Sequence, residues 1–265
     1  MMKFPRATGR FKKEFSRWGV YGMKRRDFLK TAVAAAAGAW CLGNPLTAVG
    51  SSLVSPETFR FARIRFSIRG NYIWDYHPEA DGYLLHTIGQ ETGLPVNCSW
   101  RSANLAVLPE MTRYPVLFVT TTQEFDPPQN ELDNMREYLL RGGFICADDC
   151  VNKGYGPRDK FFTSFRRAVN RLFPQGMEKI PLGHDIYHCF HDLPDGVPTM
   201  QGKDDGGWGL YVKGRLAVFL SAGDIHCGWQ SRYLRENRRG WWFSPEEETK
   251  ALNMGVNIFT YALSH

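Results

Sequence analysis

Four short segments of this chain hold the residue types that chemistry needs. Asp148-Asp149-Cys150 directly follows the apolar run Phe144 to Ala147. Two adjacent carboxylates at the end of a buried strand can bind a cation, orient a water, or share a proton if their side chains converge, and Cys150 beside them is the nearest candidate nucleophile. The alternative is architectural, with one aspartate capping a helix or turn and the other solvated. Gly183 to Asp192 puts His184, His188 and His191 at helical spacing, which would align three imidazoles for a metal. Pro181 and Pro194 bracket that stretch and its apolar residues do not describe a clean amphipathic helix, so a single functional histidine is the better expectation and no metal set is assigned. Ser221 to Trp229 follows another apolar run. Gly223 and Gly228 permit a tight loop there, from which Asp224 and His226 could reach a ligand while Trp229 forms an apolar wall or simply joins the core. Gly70 to Asp75 offers Asn71, Tyr72 and Trp74 to a shallow pocket, or packs as a loop.

A Gly-x-Ser-x-Gly or Gly-x-Cys-x-Gly elbow is missing from the sequence, as is a phosphate-cradling glycine loop. A conventional nucleophilic hydrolase therefore has no named nucleophile.

These segments must be positioned by strands and helices, and the pattern for them is legible. Phe59 to Arg69 alternates as a first strand, and Pro78 opens a helix to about Gln90 with Leu84, Leu85 and Ile88 on one face. Val96 to Trp100 reads as a second strand. Pro115 to Thr120 and Phe144 to Ala147 are continuous apolar runs, as strands buried on both faces would be. Between them, Asp126-Pro127-Pro128 starts a helix carrying Leu132, Met135, Tyr138 and Leu139, stopped by Gly142-Gly143. A helix near Asp159 to Phe173, a loop-rich stretch to Gly207, a strand over Arg215 to Leu220 and a last helix opened by Ser244-Pro245-Glu246-Glu247-Glu248 complete the chain. Alternating strands and helices with short connections predict a flavodoxin-like, doubly wound α/β fold with a mostly parallel sheet and helices on both faces. Ligands in such sheets bind beyond the carboxyl ends of the strands, where the candidate residues fall.

The formal charge of +6 points toward nucleic acid only until its distribution is considered. Residues 1–50 carry ten of the 33 basic residues and two of the 27 acidic ones, which leaves 23 against 25 and a net of −2 for the rest. No phosphate-binding footprint remains, and the cluster Arg232, Arg235, Arg238 and Arg239 reads as a solvated loop. Part of that excess lies in Lys24 to Lys30, where an arginine pair, Arg25-Arg26, precedes an Ala-rich run from Thr31 to Leu42. That layout predicts a twin-arginine export signal recognised by its translocase, cleaved after Ala48 or Gly50, with an entry segment over 51–58 and one α/β domain over 59–265. The run is too short and too weakly apolar for a permanent membrane span. Trp40 before Cys41 argues against a lipoprotein signal, and the expected address is the periplasm. Five cysteines follow the signal, an odd number without a Cys-x-x-Cys spacing, and Cys98 and Cys146 are expected to be buried and reduced.

The segments Tyr114 to Phe118, Leu139 to Asp149, His184 to His188, Gly214 to Val218, Asp224 to Trp229 and Gly255 to Leu263, taken together, resemble the bacterial family known as domain of unknown function 4159. The likeness runs from about Phe59 to Leu263. It implies a scaffold related to class I glutamine amidotransferases, whose chemistry rests on a strand-end cysteine, a histidine and a glutamate. Asp148 and Asp149 stand near the position of the missing cysteine elbow. The resemblance implies a fold and a site, not a reaction.

The residues support two functional readings. The first is an exported recognition domain for a small molecule or a cell-envelope protein, with Asp148, Asp149, His184, Asp224 and Trp229 around one crevice and Asn71, Tyr72, Trp74, Cys150, His188 and His226 contributing contacts. The second is a periplasmic hydrolase in which Asp149 or His184 is general base to a bound water, with or without the assistance of a metal. No particular cofactor is implied by either.

Overall fold

A computed structural model describes residues 58–67, 74–151, 159–240 and 242–265. The segment expected to be an export signal, Asn71 and Tyr72 lie outside these residues. The strands are β1 (Ala62–Arg65), β2 (Ser102–Asn104), β3 (Val116–Thr121), β4 (Phe144–Asp149), β5 (Glu178–Lys179), β6 (Gly207–Val212) and β7 (Arg215–Ser221). The helices are α1 (Glu79–Thr92), α2 (Leu108–Met111), α3 (Gln129–Leu140), α4 (Lys160–Leu172), α5 (Ile225–Glu236) and α6 (Pro245–Ser264). The sheet order is β2-β1-β3-β4-β7-β6-β5, with the first five strands in that order parallel and β6 and β5 antiparallel at one edge. It is a flavodoxin-like α/β fold with a mixed edge.

β3 and β4 are buried along their whole length, as two-sided apolar runs require. Side chains alternate between two cores. Ile145 and Ala147 face α3 and α4, whereas Phe144 and Cys146 face α1, α5 and α6. The last helix starts as its sequence dictates. Ser244 accepts from the Glu247 amide, Glu247 reaches back to the Ser244 amide, and Pro245 fills the first turn.

Four local expectations are corrected. The second strand lies at Ser102–Asn104, and Val96 makes only an isolated bridge to Phe59. β5 forms inside the expected loop, and β6 forms at its end where no element was expected; β6 is joined to β7 by Lys213 and Gly214, both at positive φ, the backbone that a two-residue hairpin needs. Cys98 is exposed, although Cys146 is buried as expected. The segment beginning at Ser221 is not a loop beyond the strand end but runs into α5, which also carries Arg232 and Arg235. Gly228 sits inside that helix because α6 passes too close for a side chain: a Cβ there would lie 2.4 Å from the Ala251 Cβ.

Candidate functional site

Asp148 and Asp149 are the last two residues of β4, so the pleat sends them to opposite faces. Asp149 Oδ2 accepts from the Phe162 amide, 3.2 Å away in the first turn of α4. Asp148 Oδ2 accepts from the His226 amide, 2.9 Å away in the first turn of α5, with the Ser221 hydroxyl and the Ile225 amide also directed at it. Helix amino termini leave N–H groups without intrahelical partners. The local N-cap residues of both helices, Asp159 and Asp224, make no side-chain cap bond. The central strand supplies the acceptors instead. The expected convergence of the two carboxylates is therefore corrected, and neither aspartate is solvated: both are buried. Burial pushes Asp149 up to about 8, and burial reinforced by the Asp224 charge pushes Asp148 well above the carboxylate range.

Asp224 is the second focus. It occupies the turn between β7 and α5 with φ 61 and ψ 47, a left-handed backbone that a non-glycine residue rarely adopts, and such strain concentrates at functional positions. The turn has the strand-to-helix form of a nucleophile elbow, with a carboxylate in the exposed-nucleophile position. Here, however, the side chain is fully buried. Its Oδ2 accepts from the Val151 amide at 3.1 Å and from Gln201 Nε2 at 2.7 Å, and burial raises the group to about 6. Gln201 belongs to a strap that lies on the turn, held by Met200 N to Gly223 O at 2.8 Å and Lys203 N to Ala222 O at 2.7 Å. Gly202 is required at its centre, since a Cβ would fall 2.0 Å from the Ala222 carbonyl.

Cys150 leaves β4 beside this turn, and Cys227 is one helical turn on from Asp224. The two sulfurs and a carboxylate oxygen of Asp224 lie within 4.8 Å of one another, all buried. Cys150 is not an activated nucleophile. Its contact with Cys227 lowers it, but burial and the charges of Asp224, Asp148 and Asp149 outweigh that and hold the thiol above its ordinary value. The contact with Cys150, followed by burial, pushes Cys227 well up. Asp148 Oδ1 and Asp224 Oδ1 are buried without a hydrogen-bond partner among the described residues.

A buried ion pair flanks this centre on the same face. Arg63 of β1 grips Asp81 of α1 through Nε to Oδ2 at 2.5 Å and Nη2 to Oδ1 at 2.7 Å, and also donates to the Tyr76 carbonyl. Burial alone would raise Asp81, yet the Arg63 guanidinium more than offsets it and holds the carboxyl low. Arg63 Nη2 lies 2.8 Å from His226 Nε2. A guanidinium can only donate, so this contact requires Nε2 as the acceptor and Nδ1 as the protonated nitrogen, which is buried without a hydrogen-bond partner among the described residues. Burial lowers His226 to about 4 and keeps the ring neutral. His226 is thus an interior acceptor and not a contact for an outside ligand.

The remaining expected site residues are dispersed. His184 packs edge-on to Tyr211 and tilted against Tyr261, with ring centroids 6.0 and 5.3 Å away. Tyr211 pairs with Leu216 at the start of β7, whereas Asp148 pairs with Ser221 at its end. Five residues of strand separate the two points, about 16 Å at ~3.3 Å per residue. The crevice shared by His184 and the aspartates is not formed. His184 Nδ1 instead accepts from the Ile186 amide at 3.1 Å, capping a short 3₁₀ turn. His188 bridges Asp192 and the Leu182 carbonyl, and His191 pairs with Glu91, so the three imidazoles do not share one face. Trp229 is core: fully buried, it donates to the Ala251 carbonyl at 2.8 Å and packs on Phe118 and His226. Trp74 is half-buried, 6.3 Å from the Trp100 ring.

Among the described residues, open concavities lie elsewhere, a smaller one at the head of α4 and a larger one at the carboxyl edge beyond β1 and β3. The larger, a cleft of about 390 Å³, is lined by Ser67 beyond β1, Asp126 and Gln129 at the head of α3, and Arg171 at the end of α4. It occupies the switch point between β1 and β3, where connections leave the sheet in opposite directions and ligands of such folds bind. Glu131 of α3 holds Ser67 through both its amide, at 3.0 Å, and its hydroxyl, at 2.5 Å. Sequence reasoning missed this cleft and the Arg63–Asp81 pair. The available signals were the polar Asp126-Pro127-Pro128-Gln129 after a buried strand and Arg63 standing on the same face of the first strand as Phe59 and Phe61.

These features define the class: a doubly wound α/β domain whose strand-end acids are buried in helix caps and in one polar centre, with an open polar cleft at the switch point. The family described as Domain of unknown function (DUF4159) matches residues 60–263, and the chain belongs to that family. No curated protein matches it.

Proposed function

We propose that this protein is a twin-arginine-exported recognition domain on a glutaminase-like scaffold, binding a small polar molecule in the switch-point cleft. The carrying observation is how the acids at the strand ends are used. Asp148, Asp149 and Asp224 are buried and each accepts main-chain N–H groups. The histidine nearest Asp148, His226, is held neutral by burial and accepts from Arg63. A general base needs reach to a substrate proton, which these groups lack. The cleft, in contrast, presents an exposed carboxylate, Asp126, and an exposed guanidinium, Arg171, beside amide and hydroxyl groups. Such a lining suits a zwitterionic or mixed-charge ligand. Among the described residues no helix is long and apolar enough to cross a membrane.

One observation favours a hydrolase as second reading: Asp149, raised to about 8, has the proton affinity of a base that works near neutrality. A single panel separates the two. Purified protein is melted with amino acids, short peptides, amino sugars and dicarboxylates, and the same compounds as chromogenic esters, amides and glycosides are assayed for turnover. The expected result is at least one ligand that raises the melting midpoint in wild type and not in Arg171→Glu, with no turnover. Turnover without any binding that depends on Arg171 would reverse the assignment.

A further inference from the structure

The cluster at the β7–α5 turn has a composition that the recognition reading does not use. Cys150, Asp224 and Cys227 come from three local elements: the exit of β4, the left-handed turn, and the first turn of α5. Their ligand atoms already lie within 4.8 Å of one another. Tetrahedral coordination with Zn–S bonds near 2.3 Å and Zn–O bonds near 2.1 Å asks for ligand atoms about 3.5–3.8 Å apart, so side-chain shifts on the order of 1 Å suffice.

Two further observations point to a cation. Asp224 Oδ1 is fully buried and has no hydrogen bond of ordinary geometry among the described residues, and beyond the partners of Oδ2 only the thiol and amide of Cys227, itself one of the three, are directed at that carboxylate, which is costly unless something completes it. Gln201 Nε2 lies 2.7 Å from Asp224 Oδ2 and 3.4 Å from Cys227 Sγ. One amide thus donates toward both an oxygen and a sulfur, as the outer partners of metal ligands do when they fix the charged form and its direction. A Cys150–Cys227 disulfide would leave Asp224 Oδ1 buried and unmatched.

We infer that Cys150, Cys227 and Asp224 form a binding site for a thiophilic divalent cation of the zinc class, oriented by Gln201, with a fourth position open to an outside donor. Two thiolates and a carboxylate are a soft and borderline set that selects zinc or cobalt over magnesium or calcium. Binding releases the two thiol protons to solvent and involves no electron transfer. A folded protein exported through the twin-arginine route would carry the ion with it.

Cobalt(II) tests this directly. Reduced, chelator-treated full-length protein is titrated with cobalt chloride and followed in the near ultraviolet and the visible. One equivalent is expected to give a thiolate-to-cobalt charge-transfer band with tetrahedral visible transitions, and zinc is expected to displace cobalt and abolish both. Cys150→Ser and Cys227→Ser should each remove roughly half of the charge-transfer intensity, since each deletes one of two thiolates. Cys98→Ser, at an exposed site, should leave it intact. Absence of the band in folded wild type, or its full intensity in both serine variants, overturns the site. Should a serine variant not fold, alkylation mapping of the wild type decides. Zinc must slow labelling of Cys150 and Cys227 by roughly tenfold or more while leaving Cys98 unchanged, as expected of a ligand that stabilises only the closed native site. Equal labelling with and without zinc, or a Cys150–Cys227 disulfide in protein isolated with zinc present, overturns it as well.

Discussion

Arg63→Met is expected to remove about 3–5 kcal/mol of folding free energy, because it leaves the Asp81 carboxylate buried and uncompensated. Against a total on the order of 5–15 kcal/mol, this is roughly a third or more of the stability of a domain in the lower half of that range. Both side chains are 1% exposed, so water cannot replace the lost guanidinium without opening the structure. The same arginine also bonds to the Tyr76 carbonyl and His226 and lies over the Phe118 ring, so it ties β1, α1, β3 and α5 together. The double variant Arg63→Met with Asp81→Leu should lose less than the sum of the single losses, since the apolar pair has no stranded charge. Urea denaturation of the three variants measures the cycle. A single variant within 1 kcal/mol of wild type would show that the pair is not a keystone of this face.

The second large effect concerns export. Replacing both Arg25 and Arg26 by Lys keeps the charge but removes the planar guanidinium forks that a twin-arginine receptor reads, and the full-length precursor should then remain in the cytoplasm. Cell fractionation with an antibody to the folded domain gives the answer. Periplasmic accumulation of the double variant at wild-type level would refute the proposed route.

How much of this was legible in the sequence depends on whether a feature is local. β3, β4, α3 and α6 are written in consecutive apolar runs, 3.6-residue spacing or a capping box, and these elements fall within a few residues of their expected bounds. α5 was not legible. Gly228, His226 and Cys227 are poor helix formers, and the first seven residues of that helix are buried against the sheet and α6, so tertiary packing makes the helix. The opposite aim of Asp148 and Asp149 follows from the period of a strand, but only once β4 is known to continue two residues beyond Ala147. His184 could not be placed from sequence, because a loop-rich stretch gives no register. The polar centre of Asp148, Asp224, Cys150 and Cys227 gathers residues up to 79 positions apart. Its parts were each noticed, except that Cys227 was noticed only as part of a loop, and their union needed the β4–β7 pairing.

The same pairing explains why architecture and chemistry are hard to tell apart here. Acids at strand ends are where a doubly wound fold places function, and they are also the nearest acceptors for helices whose own caps fail. Asp149 decides between these roles. Asparagine keeps its volume and its ability to accept from the Phe162 amide, while removing the ionisable carboxyl and with it the proton affinity that base catalysis needs. Turnover against the chromogenic panel and unfolding free energy are therefore measured side by side for wild type and Asp149→Asn. The account predicts no turnover by either protein and stabilities within about 1–2 kcal/mol of each other, the scale of one altered buried hydrogen bond. A wild-type activity that falls by orders of magnitude in Asp149→Asn at unchanged stability would contradict it and make Asp149 a catalytic base.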